Sequence, residues 1–142
     1  MIQYIRKIIN RLEGFPYLYY WGPVVLLCLL IFYLSHQSKL PEVPIHIPSL
    51  DKIEHLLIYA FLGYLVHRAM VEDEKGKKIF KNPGLYAVLF CLLYGISDEF
   101  HQYFIPHRES SGFDLMADAF GGWIGQWIHT NGWISRLFRN IL

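Results

Sequence analysis

Residues 85–104, LYAVLFCLLYGISDEFHQYF, form an apolar run of membrane length with Asp98, Glu99, His101 and Gln102 set close to one end. An ionised side chain inside a bilayer costs at least about 2.5–3.5 kcal/mol, so such residues usually face a protein interior or a wet cavity and mark a working site. Composition agrees with a membrane reading. Hydrophobic residues make up 54% and charged ones 18%, against roughly 45–50% and about 25% in soluble globular domains. The 142 residues suit one compact unit, a single membrane domain over residues 1–142. Net charge is +1, and no run of basic residues suggests nucleic acid as a partner. Cys28 and Cys91 each sit within an apolar run and read as small packing residues rather than a disulfide framework.

Crossing a hydrocarbon core of ~30 Å takes about 20 apolar residues in a helix. Four stretches are candidates, at about 17–35, 53–71, 84–105 and 114–130, of which the fourth is the least hydrophobic and depends on its neighbours. Tyr17, Tyr19, Tyr20 and Trp21 open the first and suit the interfacial aromatic belt. That span is too long, and lies too late in the chain, for a cleaved signal peptide. Before it, Ile2, Ile5, Ile9 and Leu12 share a helical face while Arg6, Lys7 and Arg11 lie elsewhere, the pattern of an amphipathic helix in the interface. The tail from Trp133, with Arg136, Leu137, Phe138 and Arg139, reads the same way. The expected fold class is all-α, an integral membrane bundle of four transmembrane helices with amphipathic terminal segments.

Ten of the thirteen basic residues then fall on one side, in the N-terminal segment, the connection between spans two and three, and the tail. Lys39, Lys52 and Arg108 occupy the other. The positive-inside rule therefore places both termini in the cytoplasm of a multi-pass plasma (inner) membrane protein and turns the connections after spans one and three outward. At ~1.5 Å rise per residue, Asp98 and Glu99 stand roughly 21–23 Å above Gly84. Span two descends from Asp51, so His55 lies about 6 Å and Tyr59 about 12 Å deep on one helical face. Span four enters at Asp114, with Asp118 one turn lower. Three helices thus deliver carboxylates, an imidazole and an amide to one outer-leaflet layer.

Plainer roles are open to the same residues. Asp51 with Glu54, and Ser111 with Asp114, each have capping-box spacing at a helix start. His55 alone suits a hydrogen-bonded interior histidine, Gln102 an interhelical hydrogen bond, and Tyr59 an interface aromatic. Ala117, Gly121 and Gly125 repeat every four residues, a small-residue stripe that lets a neighbouring helix approach closely.

Asp51-Lys52-x-x-His55-x-x-x-Tyr59, Asp98-Glu99-x-x-Gln102-x-x-x-Pro106-x-Arg108 and Asp114-x-x-x-Asp118-x-x-Gly121 occur in that order within the four spans. This ordered set resembles the VanZ-like family of membrane proteins, over nearly the whole chain from the first span to the fourth. The family is named for a protein that raises resistance to the glycopeptide antibiotic teicoplanin. The resemblance implies an envelope membrane protein. Two departures stand out: Pro106-His107-Arg108 where the family pattern has Pro-Gly-Arg, and Asp118 where Asn is common.

Such a layer supports acid–base chemistry on a lipid head group. His55, Asp98, Glu99 and Asp118 are the candidate proton-transfer groups. Asp51, Tyr59, Gln102, Arg108 and Asp114 are candidate head-group contacts, with Arg108 as a bidentate anion anchor. The substrate class expected is a lipid-linked envelope component entering from outside. The alternative is a non-catalytic module that binds a lipophilic glycopeptide or cell-wall precursor, with the loop His36–Leu50 lying over the site. Pro41, Pro44 and Pro48 deny that loop a continuous helix. A divalent metal fits the carboxylates and His55, although no HExxH-type zinc pattern is present. The sequence specifies neither a cofactor nor an oligomeric state.

Overall fold

A computed structural model describes residues 15–38, 50–106 and 111–132, except for the side chains of Pro16, Leu50 and Asp51. The expected amphipathic segments at both ends, most of the loop after the first span, and Arg108 lie outside the described residues. The described chain is all-helical. It runs α1 (Pro16–Ser35), α2 (Leu50–Glu72), α3 (Glu74–Ile79), α4 (Pro83–Gln102) and α5 (Gly112–Thr130). The four long helices coincide with the four expected spans to within a few residues at each end. The one-and-a-half-turn α3, in the connection rich in lysine, was not expected.

Local chemistry sets these boundaries. Pro16 and Pro83 open α1 and α4, where a missing N–H costs nothing. Asn82 caps α4 by accepting from Leu85 N at 3.3 Å, and Asp73 caps α3 by accepting from Gly76 N at 3.2 Å. In α3 the ammonium of Lys77 hydrogen-bonds Glu74 at 2.8 Å and holds its carboxyl below the usual range. The expected third span reaches 105, but the helix stops at Gln102. Pro106 disfavours helical backbone at the residue before it, and residues 103–105 close instead as short turns.

The long helices alternate in direction. Ser35 meets Gln102 and Cys28 meets Tyr94, so α1 and α4 run parallel. His55 meets Asp118 and His67 meets His129, so α2 and α5 run parallel and opposite to the first pair. The closest packing joins α2 to α5. A Cβ at Gly63 would lie 2.7 Å from Gly122 Cα, and one at Gly121 would lie 3.0 Å from Ala60 N. The small-residue stripe of α5 therefore rests on the α2 backbone, as its spacing predicted.

Polarity is inverted relative to a soluble bundle. Asp98, Glu99, Gln102, Asp114 and Asp118 are buried, while Leu26, Leu57, Leu93, Phe100, Phe113 and Met116 are exposed on the four long helices. Water outside would reverse that preference, because burying charge costs several kcal/mol per group and burying a leucine yields about 1.5–3 kcal/mol. One described helix, α1, is long and apolar enough to cross a membrane by length and composition. The other three carry the polar residues that they turn inward.

Candidate functional site

The polar layer forms where the C-terminal ends of α1 and α4 meet the N-terminal ends of α2 and α5. Adjacent residues on a helix point about 100° apart, so Asp98 and Glu99 divide between two neighbourhoods. Gln102 Nε2 donates to Asp98 Oδ2 at 3.0 Å and to Ser35 Oγ at 2.6 Å. That trio ties α4 to α1. Glu99 faces the other way: its Oε2 accepts from the backbone N–H of Ser111 at 2.7 Å.

This last bond revises the capping-box expectation at α5. Ser111 does cap the helix, accepting from Phe113 N at 3.2 Å. The reciprocal bond to the Ser111 N–H, which a capping box assigns to Asp114, comes instead from Glu99. Asp114 is thereby released. It is buried, and its Oδ1 has no hydrogen-bond partner but lies 3.5 Å from Lys52 Nζ, an ion pair. At α2, the helix includes Asp51 in its first turn, and the position of that side chain lies outside the described residues.

His55 completes the cluster. Its Nδ1 lies 2.9 Å from Asp118 Oδ1. With Asp118 ionised, its carboxylate can only accept, the ring donates Nδ1–H, and Nε2 is left for another partner. Asp118 is fully buried, and its Oδ2 has no hydrogen-bond partner. Gly95 leaves the space for it, since a Cβ there would collide with Asp118 Oδ2. His55, Glu99 and Asp114 offer ligand atoms that all lie within 4.8 Å of one another. Glu99 Oε1 is also buried without a partner. Three buried carboxylate oxygens of one layer, on Glu99, Asp114 and Asp118, thus lack a hydrogen-bond donor, and each such group costs about 1–3 kcal/mol unless something binds it.

Beside this cluster a cavity of about 540 Å³ lies between α1, α2 and α4. Ile31, Leu34, Leu57, Ile58 and Phe61 form its apolar wall, and Ser35, Glu54, His55, Tyr59, Asp98 and Gln102 its polar end. Tyr59 stacks on His55 with ring centroids 6.1 Å apart, and its buried hydroxyl has no partner.

A sequence model of the VanZ/LLP1 family matches residues 19–136. The chain belongs to that family. Proteins of the VanZ family are membrane proteins, which accounts for the apolar exterior. Comparison with curated proteins and with solved structures finds no match. In this VanZ/LLP1 chain His55, Asp98, Glu99, Gln102, Asp114 and Asp118 share one layer, with Tyr59 one turn below. Arg108 lies outside the described residues.

Three residues of the layer carried too little signal to be singled out. Ser35 is an ordinary span-ending serine until Gln102 is placed against it. Glu54 has the spacing of a capping partner for Asp51, and in the folded chain it lines the cavity. Gly95, one turn before Glu99, was hidden in an apolar run, and a glycine inside such a helix is itself a sign of close approach. A second polar group at the opposite end was also missed. His67 Nδ1 lies 2.9 Å from His129 Nδ1, and His129 Nε2 lies 3.2 Å from Glu72 Oε1. Arg68 bonds Glu72 at 3.1 Å and covers the rings of Tyr19 and Tyr20, tying α1, α2 and α5 together.

Proposed function

We propose that this VanZ/LLP1 protein is one four-span domain of the bacterial plasma membrane, with cytoplasmic termini and an outward-facing polar site. That site takes the head group of a lipid-linked envelope component. The observation that carries the reading is the shape and polarity of the cavity. Its apolar wall suits an acyl or prenyl chain, and its polar end opens onto the layer where an anionic or amino head group finds hydrogen bonds. The alternating direction of the four helices and their apolar exterior support four crossings.

The residues divide by role. Gln102, Tyr59 and Asp114 bind, together with Asp51 and Arg108, and Arg108 grips a phosphate or carboxylate bidentately. Asp118 orients His55, which with Glu99 forms the reactive centre of the layer as a ligand or proton-transfer group, while Asp98 supplies a further carboxylate that can take or return a head-group proton. A binding module for a lipophilic glycopeptide or cell-wall precursor, without turnover, is the second reading. The same apolar wall favours it, and it connects directly with teicoplanin resistance.

Mass spectrometry of envelope lipids separates the two. Cells expressing the chain are compared with cells expressing Glu99→Gln at equal level. Glutamine retains an oxygen to accept from Ser111 N–H, so the variant keeps its fold. A lipid species that appears or vanishes only with the unmodified chain identifies turnover and its substrate class. Identical profiles, with a teicoplanin response that survives in the variant, identify binding alone.

A further inference from the structure

We propose that His55, Glu99 and Asp114 bind one divalent transition-metal ion, with Asp118 orienting the imidazole as a positioning residue. Four observations converge on the same point. The three side chains come from α2, α4 and α5 and offer ligand atoms within 4.8 Å of one another. Metal bonds of about 2.0–2.2 Å to imidazole nitrogen and carboxylate oxygen bring ligands to within ~4 Å, so closing on an ion takes shifts of roughly 1 Å. Glu99 Oε1 is a buried acceptor without a hydrogen-bond donor, and Asp114 Oδ1 is a second one that meets the ammonium of Lys52 at 3.5 Å.

The third observation is the relief of Asp114 from capping. Glu99 Oε2 holds the Ser111 N–H, which satisfies the helix start and fixes the Glu99 side chain with its other oxygen inward. The fourth is the contact of His55 Nδ1 with Asp118 Oδ1 at 2.9 Å. A carboxylate on the far nitrogen is the usual support of a metal-bound histidine, because it selects the tautomer with a free Nε2 lone pair and raises its basicity. Lys52, 3.5 Å from Asp114, neutralises one carboxylate at most. Among the described residues the layer then holds more carboxylates than cations, and a divalent ion would offset that excess. One nitrogen and two oxygens suit Zn²⁺ or Mn²⁺ better than Ca²⁺, which favours an all-oxygen shell. His55 is shared between this cluster and the polar end of the cavity, which sets the ion beside the place assigned to the head group.

The inference rests on the polar layer assigned above, and its test is run without lipid so that the two readings fail separately. The purified full chain in detergent is titrated with Mn²⁺, followed by the electron paramagnetic resonance of the free ion, and with Zn²⁺ in competition. One ion per chain is expected. Asp114→Asn, which keeps the shape of the side chain, should weaken binding by about 10-fold or more, and Asp118→Asn by about 10–100-fold through loss of the oriented imidazole. Glu72→Gln, at the opposite end of the bundle, should bind as the unmodified chain does. Ile58→Trp, which fills the cavity, should keep the metal affinity of the unmodified chain. Thermal melting of each variant without metal verifies the fold. Absence of stoichiometric binding to the folded chain, or equal affinity in Asp114→Asn and Asp118→Asn, overturns the site.

Discussion

Gly125 is the position at which a single methyl group does most to test the packing that holds the polar layer together. In Gly125→Ala the new Cβ collides with Ala60 O and lies 2.6 Å from Tyr64 N and 2.9 Å from Ala60 C. All three are backbone atoms of α2, so no rotamer change relieves them. Ordinary contact begins at 3.4 Å, so the Tyr64 N contact alone asks α5 to move away by 3.4 less 2.6, about 0.8 Å, and the closer Ala60 O asks for more. His55 and Asp118 face each other across that seam, and parting the two helices stretches their 2.9 Å contact toward the limit of hydrogen-bond range. Overpacking costs about 1–3 kcal/mol, and loss of a bond to a buried charged group about 1.5–3 kcal/mol. Alanine's better helix propensity returns about 1 kcal/mol. The balance is a loss of roughly 1.5–5 kcal/mol. The assay is denaturant unfolding in mild detergent, read by tryptophan fluorescence. Gly112→Ala serves as the internal reference, because no atom lies within 4 Å of its added methyl. If Gly125→Ala is as stable as Gly112→Ala, the close α2–α5 seam is refuted.

Two further substitutions separate site from scaffold. Gly95→Ala pushes on the Asp118 carboxylate, a side chain that can turn away; it should lower metal affinity about 10-fold or more by disorienting His55, while melting shifts less than in Gly125→Ala. Asp73→Ala removes the cap of α3 and should cost about 0.5–2 kcal/mol, read by melting, without altering the metal titration.

The residue pattern carried most of the site, because polar residues in apolar helices have few places to go. Helical spacing placed His55 and Tyr59 on one face and Asp114 and Asp118 on another, and depth alone brought them to the level of Asp98 and Glu99. Rotation about each helix was less visible. That Asp98 turns to Gln102 and Ser35 while Glu99 turns to Ser111 depends on how α4 is seated against α1 and α5, and a single helix does not encode that. For the same reason the sequence assigned the α5 capping bond to Asp114, its nearest neighbour in the chain, when Glu99 reaches it from another helix. The glycine stripe of α5 was legible as a packing face; its partner, the backbone of α2 around Ala60 and Tyr64, was not. Nor was the His67–His129–Glu72 group, whose members are scattered and individually ordinary.

The lipid-binding claim is tested most directly by native mass spectrometry of the chain extracted gently from its membrane, beside the Ile58→Trp variant prepared in parallel. One lipid-linked species is expected per unmodified chain, enriched over its abundance in the membrane and absent from the variant whose cavity is filled. A chain that carries no lipid, or a variant that carries the same lipid equally well, would contradict it.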